Sequence, residues 1–398
     1  MRIKILNRFA VCRIKNADIV IFDATNSDVV KSVIPNDLSV EVFETRPVKI
    51  NFNLFLFANL ILSLKQFSFS FILNSRKNLL YKIFWQLLCI YIGAYLKSLN
   101  PKAIITSIDN CCKFAWLSKN LKNIPCIGIQ NGFRLSYDAD PEYSYYCNHL
   151  FCFGNREIQV YPKLNYEVDH FYPFGSLSLT YNFCSELDEI EPVYDLLILS
   201  CWRGNIGYEQ DVLDSMNGMR VMDTLLAKYL RDKDLKVSVI LRSERNSEHW
   251  VIPEVGMSEE EYYRSIYGDL IQIIDVNFAE RNVYPTMQKS KALIAGFSTT
   301  CLIEAFSFGK KVLYANFCGT NKYHVDFAKE ILFEGSEKDE KSFFERIDML
   351  LNQSCEDYSK EMETLSDYYV RDPKISQTSD KIKEKIIDIL SLKMYTQD

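Results

Sequence analysis

The sequence lacks the cysteine patterns of a disulfide-rich or zinc-binding protein. It has twelve Cys in 398 residues, but no CxxC pair and no Cys/His cluster with zinc spacing. Cys12, Cys89, Cys126, Cys201 and Cys318 are scattered, and several lie in apolar stretches typical of strands. We therefore expect buried free thiols in a reducing cytoplasm rather than a disulfide framework.

Long uninterrupted apolar runs are also missing. Charges interrupt every apolar stretch near the N-terminus, so no secretory signal is predicted. The two most apolar segments, 53–64 and 83–96, fall short of the roughly 20 residues that span a bilayer. Both are predicted to be core helices.

Several motifs of known enzyme classes are absent. No Walker A or GxGxxG pattern occurs, which argues against a P-loop nucleotidase or an NAD enzyme. There is no GxSxG, and the four His are scattered, which argues against a Ser-His-Asp hydrolase. Asp138 and Asp140 resemble the Asp-x-Asp that holds a divalent metal in one class of sugar transferases, but Pro141 follows them in a loop. We interpret the pair as part of a turn, and predict neither a metal nor a cofactor.

The charge is distributed unevenly along the chain. The net charge is −6, yet residues 1–135 hold 18 Lys and Arg against 7 Asp and Glu, which is +11 and leaves −17 for the remainder. A basic N-terminal half favours an anionic partner, such as phospholipid headgroups or an anionic lipid-linked acceptor. Solvated basic helix faces are the alternative. No nucleic-acid partner is predicted.

Apolar β-branched runs alternate with segments of helical periodicity along most of the chain. This alternation predicts an α/β protein with parallel, doubly wound sheets. An acidic, aperiodic stretch at 182–195 is the candidate linker. The sequence thus predicts two Rossmann-like domains, 1–185 and 190–370, followed by a C-terminal helix at 371–398. Ligands of open α/β sheets bind beyond the carboxyl ends of the strands, so a cleft between the two domains is the expected site.

The strongest motif is "ALIAGFSTTCLIEAF", where Ser298, Thr299 and Thr300 follow a strand and begin a helix. Hydroxyls and backbone N–H groups at a helix N-terminus form an anion site, and a nucleotide phosphate is the natural ligand. Glu304, about one turn into the helix, is a candidate for a ribose hydroxyl. The alternative is that the hydroxyls only cap the helix.

Two further strand ends in the second half carry cations. Trp202, Arg203 and Gly204 follow one strand, and Arg203 there can act as a counter-charge to donor phosphates. Arg242 follows another strand and is a candidate for a base or phosphate contact. The alternative for the first strand end is a surface loop with a packed Trp. The alternative for Arg242 is an ion pair with its neighbours.

Polar residues also end two strands of the first half. Asp109 follows one strand, and Gln130 and Asn131 follow the next, with Arg134 just beyond. A carboxylate beside amides can act as a general base, a nucleophile or an orienting group. An amide does not titrate, so Asn131 can only orient or stabilise, and Asp109 is the favoured carboxylate, with Glu142 behind it. Alternatively, Asp109 is only a helix N-cap.

Four segments carry a resemblance to a known family. Residues 103–134, 151–154, 171–177 and 292–317 resemble bacterial surface-carbohydrate biosynthesis glycosyltransferases of GT-B fold. They are similar, more distantly, to transferases of 3-deoxy-octulosonate (Kdo) and to polysialyl- and glycerophosphate transferases of capsule and teichoic acid. The resemblance implies a nucleotide-sugar in the C-terminal domain and the acceptor in the N-terminal one. It also implies that 298–300 grips the donor phosphate and that Gln130-Asn131-Gly132 matches a strand-end Gln-His-Gly or Glu-Asp-Gly motif.

One departure from the resemblance affects the donor. The His-Pro pair that often marks cytidine-monophosphate sugar transferases is replaced by "LRSERN" at 241–246, so a cytidine donor is not favoured. The expected function is metal-independent transfer of a sugar from a nucleotide-sugar to a lipid-linked or polysaccharide acceptor of O-antigen, lipopolysaccharide or capsule. The alternatives are a CDP-polyol phosphotransferase of teichoic-acid type and a non-catalytic glycan-binding or assembly subunit. The expected location is the cytoplasm, with peripheral contact to the inner face of the cytoplasmic membrane.

Overall fold

The chain divides into two compact units in the computed structural model. Unit 1 comprises Met1–Asn131, Ala139–Tyr181 and Ser376–Asp398, and unit 2 comprises Gly132–Asp138 and Asn182–Ile375. The C-terminal segment is therefore part of unit 1. The described residues are 9–10, 15–45, 50–51, 54–67, 78–135, 145–182, 191–202, 210–247, 250–252, 256–297, 299–319, 327–371 and 376–395. Most of the candidate linker and the Asp138–Asp140 pair lie outside them.

Unit 1 is built on a six-stranded parallel sheet. The strand order is β3-β2-β5-β6-β7-β8, and a separate parallel pair joins β1 to β4. The strands are β1 (Phe9–Ala10), β2 (Ile19–Phe22), β3 (Val40–Phe43), β4 (Ile50–Asn51), β5 (Ala103–Thr106), β6 (Cys126–Ile129), β7 (Tyr145–Cys152) and β8 (Tyr166–Pro173). The helices are α1 (Ser27–Lys31), α2 (Leu54–Ser63), α3 (Leu79–Ser98), α4 (Cys112–Asn120), α5 (Asn155–Val160), α6 (Leu177–Asn182) and, from the C-terminal segment, α13 (Ser376–Tyr395), with 3₁₀ turns at Leu64–Gln66 and Tyr161–Leu164.

Both faces of the unit 1 sheet are covered by helices. β2, β5 and β6 are buried along their whole length, which explains why they read as continuous apolar runs and not as alternating ones. One face packs against α3 and α4 through side chains such as Ile92 and Phe114. The other face packs against α1 and α13, where Ile382 and Ile386 are fully buried. The C-terminal helix therefore completes the core of unit 1.

Helix α3 differs from the expectation for its segment. The apolar run at 83–96 is too short to cross a bilayer, but the helix extends over 20 residues and is long and apolar enough to do so. Just over half of its most apolar window, 56%, is buried inside the fold. By length and composition alone this is weak evidence for a membrane span.

Unit 2 is also built on a six-stranded parallel sheet. Its order is β13-β10-β9-β14-β15-β16, which is the Rossmann order. The order in which the strands are added across the sheet reverses between the neighbouring strands β9 and β14. The strands are β9 (Tyr194–Leu199), β10 (Val237–Ile240), the antiparallel pair β11 (Val251–Ile252) and β12 (Met257–Ser258), β13 (Gln272–Ile274), β14 (Ser290–Ala295), β15 (Lys311–Asn316) and β16 (Leu332–Glu334). The helices are α7 (Gln210–Leu230), α8 (Glu259–Tyr267), α9 (Val283–Gln288), α10 (Thr300–Ser307), α11 (Glu340–Asn352) and α12 (Cys355–Tyr369), with a 3₁₀ turn at Glu337–Asp339.

Glycines allow α7 to approach the sheet of unit 2 closely. A Cβ added at Gly218 would lie 2.6 Å from the backbone N of Cys318, and one at Gly296 would lie 3.2 Å from the Cα of Met219. The first of these distances is too short for any real contact. Replacing Gly218 with Ala must therefore move the helix or the loop that contains Cys318.

We expect Gly218→Ala to destabilise the fold by roughly 3 kcal/mol, as overpacking of a closely packed core does. Urea denaturation measures the loss of free energy of unfolding. Gly268→Ala is a control for altered backbone freedom, because a Cβ there meets nothing within 4 Å although φ is +56°. The strain of the positive φ should cost roughly 2 kcal/mol there, less than the clash at Gly218. A smaller loss at Gly218 than at Gly268 would contradict the packing described.

A buried carboxyl on α7 is hydrogen-bonded to α8. Asp223 is fully buried and accepts hydrogen bonds from the hydroxyls of Tyr262 at 2.8 Å and Tyr267 at 2.7 Å. Burial raises the pKa of Asp223 to about 7, against the opposing effect of the two hydroxyls. The folded protein therefore holds a proton at Asp223 that the unfolded chain releases near pH 4.

This proton makes the fold less stable as the pH rises. Because the folded pKa is raised, the stabilisation is complete below the unfolded pKa and is lost as the pH rises to about 7. Between about pH 5 and pH 8 the wild type should lose roughly 3 kcal/mol relative to Asp223→Asn, which has no such proton. Urea denaturation of both proteins at the two pH values measures this difference. A difference that stays constant with pH would contradict the assignment.

Candidate functional site

A cavity lies at the carboxyl ends of the strands in unit 2. Its volume is about 460 Å³, within the usual range for small-molecule sites. The walls come from the residues that follow β9, β10, β13 and β14, so the cavity occupies the reversal point of the Rossmann order. The lining residues are Phe133, Arg134, Leu199, Ser200, Cys201, Ile240, Leu241, Arg242, Val276, Phe278, Val283, Phe297, Thr299, Thr300 and Cys301.

The charged side chains of the described lining are basic. Arg134 and Arg242 are both present, and no Asp or Glu occurs among the lining residues that the structure describes. The N-terminus of α10 opens into the same cavity with Thr299, Thr300 and Cys301, and it adds the positive end of a helix dipole. An anionic group is the ligand that these donors and charges suit.

Thr299 occupies the N-cap position of α10. Its backbone is extended, with φ −137° and ψ 141°, and its side chain makes no capping hydrogen bond. The interpretation of this hydroxyl as a plain helix cap therefore does not hold. The second predicted hydroxyl, Thr300, accepts a hydrogen bond from the backbone N–H of Phe133 at 3.0 Å. Ser298, the third, lies outside the described residues.

The segment after "GIQN" packs against the start of α10. A Cβ at Gly132 would lie 3.1 Å from Nη1 of Arg134 and 3.5 Å from the Thr300 hydroxyl. The Phe133 ring packs against Phe327, with ring centroids 5.3 Å apart. Glycine at 132 thus permits a close approach, and the hydrogen bond to Thr300 holds Arg134 on the cavity wall.

Glu259 joins two of the cavity loops. This carboxylate at the start of α8 is fully buried and accepts hydrogen bonds from the backbone N–H groups of Arg242 at 2.8 Å and Ser243 at 2.9 Å, and from the hydroxyl of Ser200. Burial raises its pKa, while these three donors act in the opposite direction. Glu259 therefore positions the turns that follow β9 and β10. The sequence does not mark Glu259 as a site residue, because a run of three Glu is typical of a helix start.

The guanidinium of Arg242 is held in part by the neighbouring loop. Its Nη1 donates to the backbone carbonyl of Trp202 at 2.6 Å. Trp202 is itself fully buried and packs against Tyr262, with ring centroids 4.9 Å apart. It is not among the cavity-lining residues. Arg203 and Gly204, predicted to follow it in the site, lie outside the described residues.

Glu304 is separated from the cavity lining. It is 1% exposed and accepts a hydrogen bond from the Tyr284 hydroxyl at 3.2 Å. Burial and the nearby Glu304 raise the pKa of Tyr284 far above its ordinary value. The structure thus places Glu304 in a buried pair with Tyr284, and its predicted contact with a ribose stays a prediction.

The predicted residues of unit 1 fall into two groups. Gln130 is 2% exposed, and both ends of its side-chain amide form hydrogen bonds. Its Nε2 donates to Glu157 at 3.2 Å, and its Oε1 accepts from the Phe153 N–H at 2.8 Å. Glu157 also accepts from Arg156 and from the Gly154 N–H, and burial raises its pKa. Gln130 therefore ties together the ends of β6 and β7. Asn131 is half-buried.

Asp109 follows β5, next to the reversal point of the unit 1 sheet between β2 and β5. It is 8% exposed and accepts a hydrogen bond from the Tyr161 hydroxyl at 3.2 Å. Cys111, and not Asp109, occupies the N-cap position of α4. The simple capping interpretation of Asp109 is therefore wrong.

The described residues hold no group of three or more His, Cys, Asp or Glu side chains that could bind a metal ion. Asp138, Asp140 and Glu142 lie outside them, so the absence of a metal stays a prediction. Every cysteine that the structure describes is a free thiol, and burial raises the pKa of several of them, such as Cys126 to about 12.

Comparison with known proteins identifies the fold. Neither the family models nor the curated proteins match the chain. Among solved structures, the chain is similar to UDP-N-acetylglucosamine 2-epimerase from Rickettsia bellii, at 13% identity over 95% of this chain and 96% of that one, with a TM-score of 0.52. A glycosyltransferase from Rickettsia africae ESF-5 aligns at 12% identity, over 95% and 99% of the two chains, with a TM-score of 0.48. The wall teichoic acid polymerase TagF aligns at 11%, over 96% and 90%, also with a TM-score of 0.48.

The predicted fold class is thereby confirmed. Two six-stranded parallel sheets flanked by helices, together with the similarity to the epimerase over nearly the whole chain, show an α/β protein of GT-B type with two Rossmann-like units. At this level of identity the similarity shows the fold alone.

Proposed function

We propose that the protein is a glycosyltransferase that takes its sugar from a nucleotide-sugar bound in the unit 2 cavity. The observation that carries this proposal is the cavity lining itself, where two arginines and the N-terminus of α10 meet at the carboxyl ends of the strands. A nucleotide diphosphate or monophosphate supplies the negative charge that such a lining requires.

The rest of the lining suits the other end of a nucleotide. Leu199, Ile240, Val276, Phe278 and Val283 give the cavity an apolar wall against which a base can pack. A small set of polar groups with a larger apolar wall is typical of cofactor and nucleotide sites. Glu259 holds the turns after β9 and β10 in place beside this apolar wall.

The same geometry can stabilise the leaving group. As the bond from the sugar to the phosphate breaks, negative charge develops on the phosphate oxygen. The N-terminus of α10, the Thr299 hydroxyl and the two arginines are proposed to stabilise that charge, because they line the same cavity before the reaction begins.

The residues of unit 1 are assigned to the acceptor. Asp109 is proposed to take the proton from the attacking hydroxyl or to attack the sugar itself, with Asn131 orienting the substrate. We further propose that the acceptor is a lipid-linked or polysaccharide precursor of a bacterial surface glycan, made at the cytoplasmic side. A polyol-phosphate transfer from a CDP donor is the second candidate, because a cavity lined by two arginines and a helix N-terminus suits the diphosphate of such a donor equally well.

A thermal-shift screen tests the proposal. Saturating nucleoside mono- and diphosphates should raise Tm, with one base preferred, and the preferred base narrows the donor. Incubation with the corresponding donors and a glycan acceptor should add a sugar mass without phosphorus, whereas a polyol-phosphate transfer adds phosphorus. Stabilisation by none of the nucleotides would exclude both transferases and favour a glycan-binding subunit.

Thr299→Ala should weaken nucleotide binding about ten-fold, the usual loss when one hydrogen bond to a charged group is removed. Isothermal titration with the preferred nucleotide measures the change in Kd. Thr224→Ala is the matched control, since Thr224 is exposed on α7 and donates only to the Arg220 carbonyl. Equal Kd values for the two variants would remove Thr299 from the site.

A further inference from the structure

Exposed apolar side chains are concentrated on two packed helices of unit 1. Their exposed fractions run from 44% at Leu87 to 75% at Leu80. Single exposed apolar residues are ordinary, but a group on adjoining helices usually marks an interaction surface. This surface, the α2/α3 face, consists of Phe57, Ile61, Leu62, Leu80, Phe84 and Leu87.

The two helices that carry this face are joined to each other and to the core. The side-chain amide of Asn59 on α2 donates to the Ser98 hydroxyl on α3 at 2.9 Å. On α3, Leu80, Phe84 and Leu87 form one stripe at helical spacing, while Cys89 and other residues on the opposite side are buried in the unit 1 core. To span a bilayer, α3 would have to leave that core. A helix with one face in the protein and one apolar face outward is suited to lie on a membrane surface.

Basic residues are concentrated in the part of the sequence that forms this face. From Thr45 to Ile108 the chain holds eight Lys and Arg and not one Asp or Glu, although Lys102 pairs with Asp18 at 2.9 Å. The hydrogen bond between Asn59 and Ser98 brings the end of α3, and with it Lys97, beside α2. Burial and the charge of Lys65, which is exposed directly after α2, lower the pKa of Lys97. Cations beside an apolar face favour binding to a surface that is both apolar and anionic.

We propose that the α2/α3 face docks on an anionic lipid bilayer, with its apolar side chains entering the interface and the surrounding lysines contacting acidic headgroups. A second copy of this chain is a poor occupant. In a two-fold dimer the same surface meets itself, so the cations Lys65 and Lys97 beside the face would be brought near like charge. Docking requires neither a nucleotide nor a sugar and is therefore independent of the proposed function.

Vesicle co-sedimentation of the full chain tests the proposal. The protein should sediment with vesicles of phosphatidylcholine containing about one-third phosphatidylglycerol, and at least about ten-fold more weakly with pure phosphatidylcholine. The triple variant Leu80→Gln/Phe84→Gln/Leu87→Gln should reduce partition into the anionic vesicles about ten-fold or more. Met349→Gln, which changes an equally exposed apolar side chain on α11, should leave partition unchanged.

Folding of each variant is checked by its thermal unfolding. If the triple variant does not fold, Phe57→Gln/Ile61→Gln on α2 replaces it, with the same expected loss. The proposal is overturned if the wild type does not bind anionic vesicles, if it binds neutral vesicles equally well, or if the triple variant binds like the wild type. It is equally overturned if sedimentation velocity shows a dimer that the triple variant abolishes while vesicles bind neither protein.

Discussion

Asp109→Asn is expected to reduce turnover about a thousand-fold, while the preferred nucleotide binds with unchanged Kd. Proton transfer by a positioned side chain contributes on this scale, and an amide cannot accept the proton. The substitution keeps the shape of the side chain, and its oxygen can still accept the hydrogen bond from Tyr161. The fold and the unit 2 cavity should therefore be preserved.

Steady-state kinetics and nucleotide titration of the same preparation separate the two effects. Tyr161→Phe is the matched control, because it removes the hydrogen bond to Asp109 and keeps the carboxylate. We expect it to lose only about ten-fold in turnover, the amount that one hydrogen bond contributes. Normal turnover in Asp109→Asn would remove Asp109 from the mechanism, whereas loss of nucleotide binding would show that its role is structural.

Glu259→Ala should destabilise the fold by roughly 3 kcal/mol and weaken nucleotide binding by more than ten-fold. The substitution leaves the N–H groups of Arg242 and Ser243 and the Ser200 hydroxyl without their shared acceptor. Each buried polar group left unsatisfied costs about 1–3 kcal/mol. Two of these groups lie on the cavity wall, so the loops that they hold should lose their shape.

Urea denaturation and isothermal titration measure the two effects. The neighbouring residue provides the control: Glu260 forms surface ion pairs with Arg245 and Arg264, and neither arginine is among the described lining residues of the cavity. Glu260→Ala should change stability by less than about 1 kcal/mol and leave binding unaltered. If Glu259→Ala binds nucleotide like the wild type, Glu259 is not a positioning residue of the site.

Much of the fold could be predicted because its signals are local. The strands of a doubly wound sheet are buried on both faces, so each one appears as a short apolar run such as 103–106 or 292–295. The αβ alternation then specifies parallel pairing. The helices α11 and α12 were not anticipated, nor was the assignment of α13 to the core of unit 1. The place of α13 in that core depends on contacts between Ile382 and strands more than 200 residues away in the chain.

Only those residues of the candidate site that lie at strand ends could be predicted from the sequence. Thr299, Thr300, Arg242 and Arg134 were predicted from such positions, and all four line one cavity. The same reasoning could not distinguish a strand-end residue that faces the cavity from one that is buried beneath it, as Trp202 is. Burial is set by packing that a strand-end pattern does not encode.

The most direct test of the central claim is a crystal structure of the protein with the preferred nucleoside diphosphate. The account predicts that a phosphate oxygen lies within hydrogen-bond distance of the Thr299 hydroxyl or the first N–H groups of α10, with Arg134 and Arg242 beside the diphosphate. The base is expected against the wall formed by Val276, Phe278 and Val283. A nucleotide bound elsewhere on the chain, with this cavity left empty, would contradict it.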